Sequence, residues 1–252
     1  MIQLLRSFHS AWQFLTLFPS AFRWEVTPSD LERSPLFFPA VGLILGLLLA
    51  SLDLALGWVL PARLQAGFLV VFLWVVSGGL HADGLADTAD GFFSSKPKER
   101  ILEIMRDSRS GPMAILALVS VFFLKYLALS ELSGPRFSQI VCVPFLGRWS
   151  LLILLTTSSY AREGQGLARV FSKKHAPWVL CIVHLLVLCM ATALLGKQGF
   201  WVVLVSLTMI FLFRSYCDRK IGGFTGDTLG AACELTELSA GVACVLFGRI
   251  FG

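Results

Sequence analysis

Three carboxylates crowd together just beyond an apolar run. Asp83, Asp87 and Asp90 follow the run that ends at Leu80, in the stretch GGLHADGLADTADGFFSSKPKERILEIMRDSRSG at residues 78–111. Spacings of four and then three residues put all three on one face of a helix. Like charges held so close repel one another and resist ionising together unless a cation sits among them. Hard oxygen donors suit a hard divalent ion, Mg2+ above all. The alternative is a solvated acidic loop, but the Ala, Gly and Leu residues between the aspartates make a face suited to close packing. His81 precedes the cluster and can act as a base, the alternative being a packed histidine with a backbone partner. Farther on, Arg106 and Arg109 flank a turn in RDSRSG, and such guanidiniums bind phosphate oxygens bidentately. A metal cluster beside an arginine pair suits a substrate carrying a phosphate or diphosphate.

A second acidic group lies near the C-terminus. IGGFTGDTLG at residues 221–230 reads as a Gly-rich turn opening into a helix, with Asp227, Glu234 and Glu237 on one face of it. Backbone N–H groups at such a helix start can hold a phosphate, which makes Thr225 and Gly226 candidates for binding one. Glu234 and Glu237 fall within an apolar segment, where a carboxylate faces a cavity or the bundle interior rather than lipid. Their alternative is pairing with Arg148 or Arg214. Arg148 is itself either an interior counter-ion or a phosphate ligand. Asp53 and Lys125 also fall within apolar segments and receive no role.

The elements that must position these groups follow from composition. The chain has 252 residues, 56% hydrophobic and 15% charged, with a mean hydropathy of +0.76. A soluble domain carries nearer about a quarter charged residues. We therefore expect an all-α, polytopic integral membrane bundle forming a single membrane domain over residues 1–252. Residues 1–35 read as an amphipathic interfacial segment, or as a short helix packed on the bundle. Residues 36–252 form the bundle proper, with about seven transmembrane helices near 36–60, 64–82, 112–131, 138–158, 178–195, 199–216 and 228–248. Gly42 and Gly46 make a GxxxG that would permit close helix packing.

Lys and Arg cluster in the loops after the second, fourth and sixth spans: Lys96, Lys98, Arg100, Arg106 and Arg109, then Arg162, Arg169, Lys173 and Lys174, then Arg219 and Lys220. The positive-inside rule puts those loops and the N-terminus in the cytoplasm, and the expected location is a cell inner membrane with the site facing the cytoplasm. The formal charge of +5 then reports topology and contact with the lipid bilayer. No nucleic-acid motif interrupts the apolar runs. The six cysteines lie in or beside apolar segments without a CxxC pair, and read as small buried residues.

These motifs, in this order, resemble those of the cobalamin synthase family, the adenosylcobinamide-GDP ribazoletransferases. The likeness rests on GGLHADGLADTADG at 78–91 and MRDSRSG at 105–111, with further matches at Phe14, Leu15, Thr16 and Pro19, at Arg148, at Ala161 and Arg162 with residues 164–167, and at GFTGD over 223–227. It covers essentially the whole chain. Ala82 departs from the acidic or polar residue of many members and leaves the aspartates intact. The resemblance implies a Mg2+-dependent transferase that joins adenosylcobinamide-GDP to α-ribazole, or to α-ribazole 5′-phosphate, and releases GMP. In that reading Asp83, Asp87 and Asp90 are catalytic and metal-binding, with Asp227 and Glu234 completing the site or holding a second ion. Arg106 and Arg109 clamp phosphate, joined by Arg148, Thr225 and Gly226, and either His81 or a carboxylate takes the proton. A homo-oligomer is allowed but not called for. The competing readings are another intramembrane phospho- or prenyl-transferase, which uses different aspartate spacing, and a secondary transporter, which would more often show internal repeats.

Overall fold

The computed structural model describes residues 2–19, 24–107, 109–163, 167–171 and 175–251. Among them the chain is a helical bundle with no strand, and one isolated bridge pairs Tyr160 with Phe224. The helices, in order, are α1 (Ile2–Leu15), α2 (Pro28–Arg33), α3 (Phe38–Leu56), α4 (Ala62–Val76), α5 (Leu80–Phe92), α6 (Lys98–Ile104), α7 (Pro112–Ser130), α8 (Arg136–Thr157), α9 (Leu167–Phe171), α10 (Pro177–Leu195), α11 (Lys197–Ile221) and α12 (Gly226–Phe251). Prolines open α7 and α10 at their first turns, where a missing N–H costs nothing. Gly222, at φ +75°, ends α11 in the left-handed conformation, the usual glycine stop.

Six helical stretches are long and apolar enough to cross a membrane: Pro28–Leu56, which includes α2, a 3-10 turn and α3, and then α7, α8, α10, α11 and α12. The expected second span is a bent pair instead. α4 and α5 meet at 89°, so the described residues hold six helical stretches able to span a membrane, or seven if the pair counts as one. The bend has a local cause. Gly78 and Gly79 sit at φ +62° and +74°, a region that side-chain-bearing residues avoid. The arm after α1 reinforces the bend, because the Leu17 amide donates to the Val76 carbonyl at 2.7 Å. That carbonyl is one of those a helix C-terminus leaves unpaired.

α8 is the central post, with α3 and α12 packed along it. The GxxxG in α3 makes the close contact expected of it. A Cβ at Gly42 would stand 2.5 Å from the Pro144 carbonyl oxygen, and one at Gly46 would stand 2.3 Å from that of Val141. α5 lies against the start of α12 in the same way. A Cβ at Gly84 would fall 2.6 Å from the Asp227 carbonyl, and one at Gly230 would fall 3.0 Å from that of His81. This approach carries the acidic face of α5 to the second acidic group.

The N-terminal helix packs one face on the bundle, as one of the two sequence readings has it, and leaves the other face exposed. Ile2, Leu4 and Leu5 are exposed, whereas Ala11 and Leu15 are buried. Phe14 packs against Phe38 and Phe171, with ring centroids at 5.8 and 4.7 Å.

The α3–α8 contact leaves no room for a methyl group. Gly46→Ala is expected to destabilise by about 1–3 kcal/mol through overpacking, read as a lower unfolding temperature in detergent. Gly67→Ala, where the nearest atom to an added Cβ is 4.0 Å away, serves as the control and should leave that temperature unchanged or raised.

Candidate active site

A cavity of about 240 Å³ opens where α5 meets the first turn of α12. Its polar wall is His81, Asp83, Arg162 and Asp227, and its apolar wall includes Phe14, Phe38, Leu151 and Leu229. Asp83 is exposed and Asp227 half-buried. Asp87, one turn on from Asp83, lies within electrostatic reach of Asp83, Asp227 and Asp90 and of the Arg162 guanidinium. His81 is buried, and its Nε2 has no hydrogen-bond partner.

The helix start at Thr225 is self-capped. The Thr225 amide donates to Thr228 Oγ1 at 2.8 Å, and the Thr228 amide donates back to Thr225 Oγ1 at 3.3 Å. This reciprocal pairing satisfies orphan donors of the first turn. It also engages Thr225, one of the expected phosphate binders, in holding the helix. Gly226 is exposed on the cavity wall. Gly223 allows the adjoining crossover, because a Cβ there would fall 1.9 Å from the Ser159 carbonyl oxygen. Phe224 and Ser159–Ala161 exchange backbone hydrogen bonds at 2.8 and 2.9 Å, and this tie delivers Arg162 to the site. Arg162 Nη2 donates to Asp227 Oδ2 at 2.6 Å and to the Met105 carbonyl at 3.4 Å.

Several expected site residues lie elsewhere. Asp90 Oδ2 accepts from the Gly111 amide at 2.5 Å and its Oδ1 from the Ala114 amide at 2.8 Å, so Asp90 caps α7 from a neighbouring helix. Glu234 Oε2 accepts from Lys125 Nζ at 2.7 Å and from Trp74 Nε1 at 3.0 Å. Glu237 is paired with both Lys125 and Arg148. All four charged groups are buried, and Arg148 lies inside the bundle rather than on the cavity wall. Arg106 and Arg109 are exposed and do not line the cavity. Arg109 grips Asp107, Nη2 to Oδ2 at 2.7 Å, and these hydrogen bonds pull the exposed Asp107 carboxyl down to about 2. Ser108, residues 164–166, Lys173 and Lys174 fall outside the described residues.

The sequence left Lys125 without a role and read the loop carrying Arg162 as topological charge or as a cover for a bulky anionic ligand, without pairing Arg162 to Asp227. Local spacing offered no signal for either, since each finds its carboxylate partner more than sixty residues away.

Among the described residues, no three His, Cys, Asp or Glu side chains converge closely enough to hold a metal ion together. In chemistry and charge, Asp83, Asp87 and Asp227 are nonetheless a hard-oxygen donor set that suits a divalent cation. Asp90 and Glu234 are taken up by the contacts above. The apolar groove between α8, α10 and α11 is larger, about 610 Å³, but it lies away from every one of these carboxylates.

Fold and site together define a class: a multi-pass, all-α membrane protein whose carboxylates, arginine and histidine gather around a cavity at one end of the bundle. The profile of cobalamin-5-phosphate synthase matches residues 7–245. An Ectopseudomonas mendocina protein described as adenosylcobinamide-GDP ribazoletransferase is 42% identical over 242 residues, 94% of this chain and 97% of its own length. Proteins of the same description from Pseudomonas aeruginosa and Clostridium acetobutylicum are 40% and 35% identical over 98% and 89% of this chain, covering 100% and 90% of their own lengths. No solved structure matches the chain. The chain belongs to the cobalamin-5-phosphate synthase family and is a transferase.

The buried ion cluster makes a direct prediction. Lys125→Met leaves Glu234 and Glu237 with Arg148 as their one remaining cation in the cluster. It should cost about 3–5 kcal/mol, as for other broken buried pairs, and show as a large drop in unfolding temperature. Adding Glu234→Gln should restore part of the loss.

Proposed function

We propose that this chain joins adenosylcobinamide-GDP to α-ribazole, or to α-ribazole 5′-phosphate, with release of GMP. The observation that carries the reading is the single cavity at the α5–α12 junction that gathers Asp83, Asp227, Arg162 and His81. The relatives described as adenosylcobinamide-GDP ribazoletransferases supply the substrate class.

In this reaction a ribose hydroxyl oxygen of the acceptor bonds to the cobinamide-linked phosphorus. The bond from that phosphorus to the bridging oxygen breaks, and GMP leaves with the bridging oxygen. Such transfers ask a protein mainly for positioning and charge neutralisation. Arg162 supplies a fixed guanidinium for a phosphate oxygen, exchanging its contact with Asp227 for one with the substrate. Two groups on the wall can take the hydroxyl proton: His81 at Nε2, which is without a partner, and an Asp83 carboxylate oxygen. Mg2+ is the proposed cofactor, with Asp83, Asp87 and Asp227 as the residues that would hold it, and when bound it neutralises the charge of the diphosphate. The cavity, about 240 Å³, is below the usual size for a whole ligand of this kind. It therefore takes the diphosphate region and leaves the corrinoid outside. The clustering of Lys and Arg in the loops at this end supports a cytoplasmic site at the inner membrane.

The test is GMP release from purified protein in detergent or liposomes, supplied with adenosylcobinamide-GDP and α-ribazole, with and without Mg2+. Metal-dependent release from the wild type, lost in a folded Asp87→Asn variant, is the expected result. Full activity in that variant with normal metal dependence would remove the aspartates from the reaction. His81→Asn separates the two proton acceptors. If Nε2 takes the proton, kcat falls by about 10²–10⁴ and its pH dependence changes form, whereas an unchanged pH profile assigns the proton to Asp83.

A further inference from the structure

A second cavity, of about 700 Å³, lies on the other side of Asp83, among the end of α1, α4, α5 and α7. The two cavities share Phe14, Leu80 and Asp83 as a common wall. Their chemistries differ. The smaller one carries the Arg162 guanidinium and a second carboxylate, that of Asp227. The larger is lined by Gln13, Thr16, Trp74, Ser77, Ser110 and Leu118, and Asp83 is the one ionisable group among its described lining residues. Its volume falls in the range of sites for small organic ligands.

A reaction between two substrates needs two sites that open on one point, so that the attacking oxygen and the phosphorus come within about 3–3.5 Å. A diphosphate belongs beside the guanidinium. A cavity with hydroxyls, an amide and an indole among aliphatic walls suits a flat, uncharged heteroaromatic ring bearing a sugar. The Thr16 and Ser77 hydroxyls donate to carbonyls of the preceding turn, and the Trp74 indole N–H donates to Glu234. The Gln13 amide, the Ser110 hydroxyl and the lone pairs of the other hydroxyls therefore meet the ribose, and apolar surface covers the ring.

We propose that the cavity among α1, α4, α5 and α7 binds the aromatic nucleoside part of the acceptor. The diphosphate of the donor occupies the Arg162 cavity, and the two substrates meet at Asp83. The assignment rests on the reaction proposed above. It gives the 89° bend between α4 and α5 a function: the bend at Gly78 and Gly79 forms part of the floor of the acceptor cavity. It also makes the end of α1 and the arm after it part of the active site, through Gln13 and Thr16.

The test compares variants on either side of Asp83. Leu118→Trp fills the acceptor cavity from α7, and Gln13→Leu removes an exposed amide from its edge with little risk to folding. Arg162→Gln removes the guanidinium from the other cavity. Binding of α-ribazole and of adenosylcobinamide-GDP is measured separately by calorimetry in detergent, alongside KM for each. Leu118→Trp should weaken α-ribazole about 10-fold or more, as expected for a pocket altered by whole side-chain groups, while the donor changes by no more than about twofold. Gln13→Leu should act in the same direction to a smaller extent, and Arg162→Gln should weaken the donor selectively. If both acceptor-side variants leave α-ribazole unaffected, or weaken the donor instead, the assignment of the cavities is overturned while the reaction stands. If the wild type binds neither compound and releases no GMP, the reaction itself is wrong and the assignment falls with it.

Discussion

Two glutamates one turn apart in a membrane-spanning helix set the terms for the rest of this structure. An ionised carboxylate inside a bundle is tolerated only when it is paired and hydrogen-bonded. Glu234 and Glu237 obtain Lys125 from α7 and Arg148 from α8, and Glu234 also takes the Trp74 indole from α4. Four helices are thus brought to one point, two turns below the start of α12. Once α12 is fixed there, its first turn stands at the end of the bundle. Gly84 and Gly230 then let α5 close on it almost backbone to backbone.

This arrangement sorts the charged residues into two kinds. The buried cluster pairs two cations with two carboxylates, all beyond the reach of solvent. Opening it would strand charges in a medium that solvates them poorly, so it serves as framework. Above it, Asp83 is exposed, and the Arg162–Asp227 pair is largely but not fully covered. Under the proposed reaction, an anion that took the place of Asp227 would supply the charge Arg162 needs, so the exchange would not strand the guanidinium. The protein therefore keeps its rigid electrostatics below and its exchangeable electrostatics at the cavity. The short backbone bridge between Tyr160 and Phe224 is what holds Arg162 over the second kind.

The same division explains the fate of the aspartate trio. The three carboxylates do share one helix face, as their spacing requires. α7 begins beside the end of that face, however, and its unpaired first-turn amides are satisfied by Asp90. Asp83 and Asp87 stay with Asp227 near the cavity. One face of one helix thus supplies a cap at one end and part of a cavity wall at the other, and spacing alone cannot divide the two.

Much of this protein was set by sequence. Long apolar runs leave helices as the form that satisfies the backbone in a membrane, so the all-α bundle and most of its spans could be read directly. The GxxxG in α3, the one-sided aspartates of α5 and the Gly-rich opening of α12 are local patterns with local consequences, and each formed as its spacing implied. The run of motifs was long enough to give the family. Tertiary structure alone decided which charges meet. Lys125 finds Glu234 across 109 residues, Arg162 finds Asp227 across 65, and Arg148 finds Glu237 across 89. The 89° turn in the expected second span stands between the two, since its cause, Gly78 and Gly79, is local, and the Leu17 amide from the arm after α1 reinforces it. The reason is range: periodicity records which residues share a face, whereas an ion pair depends on which faces come together, and that is fixed only when the helices pack.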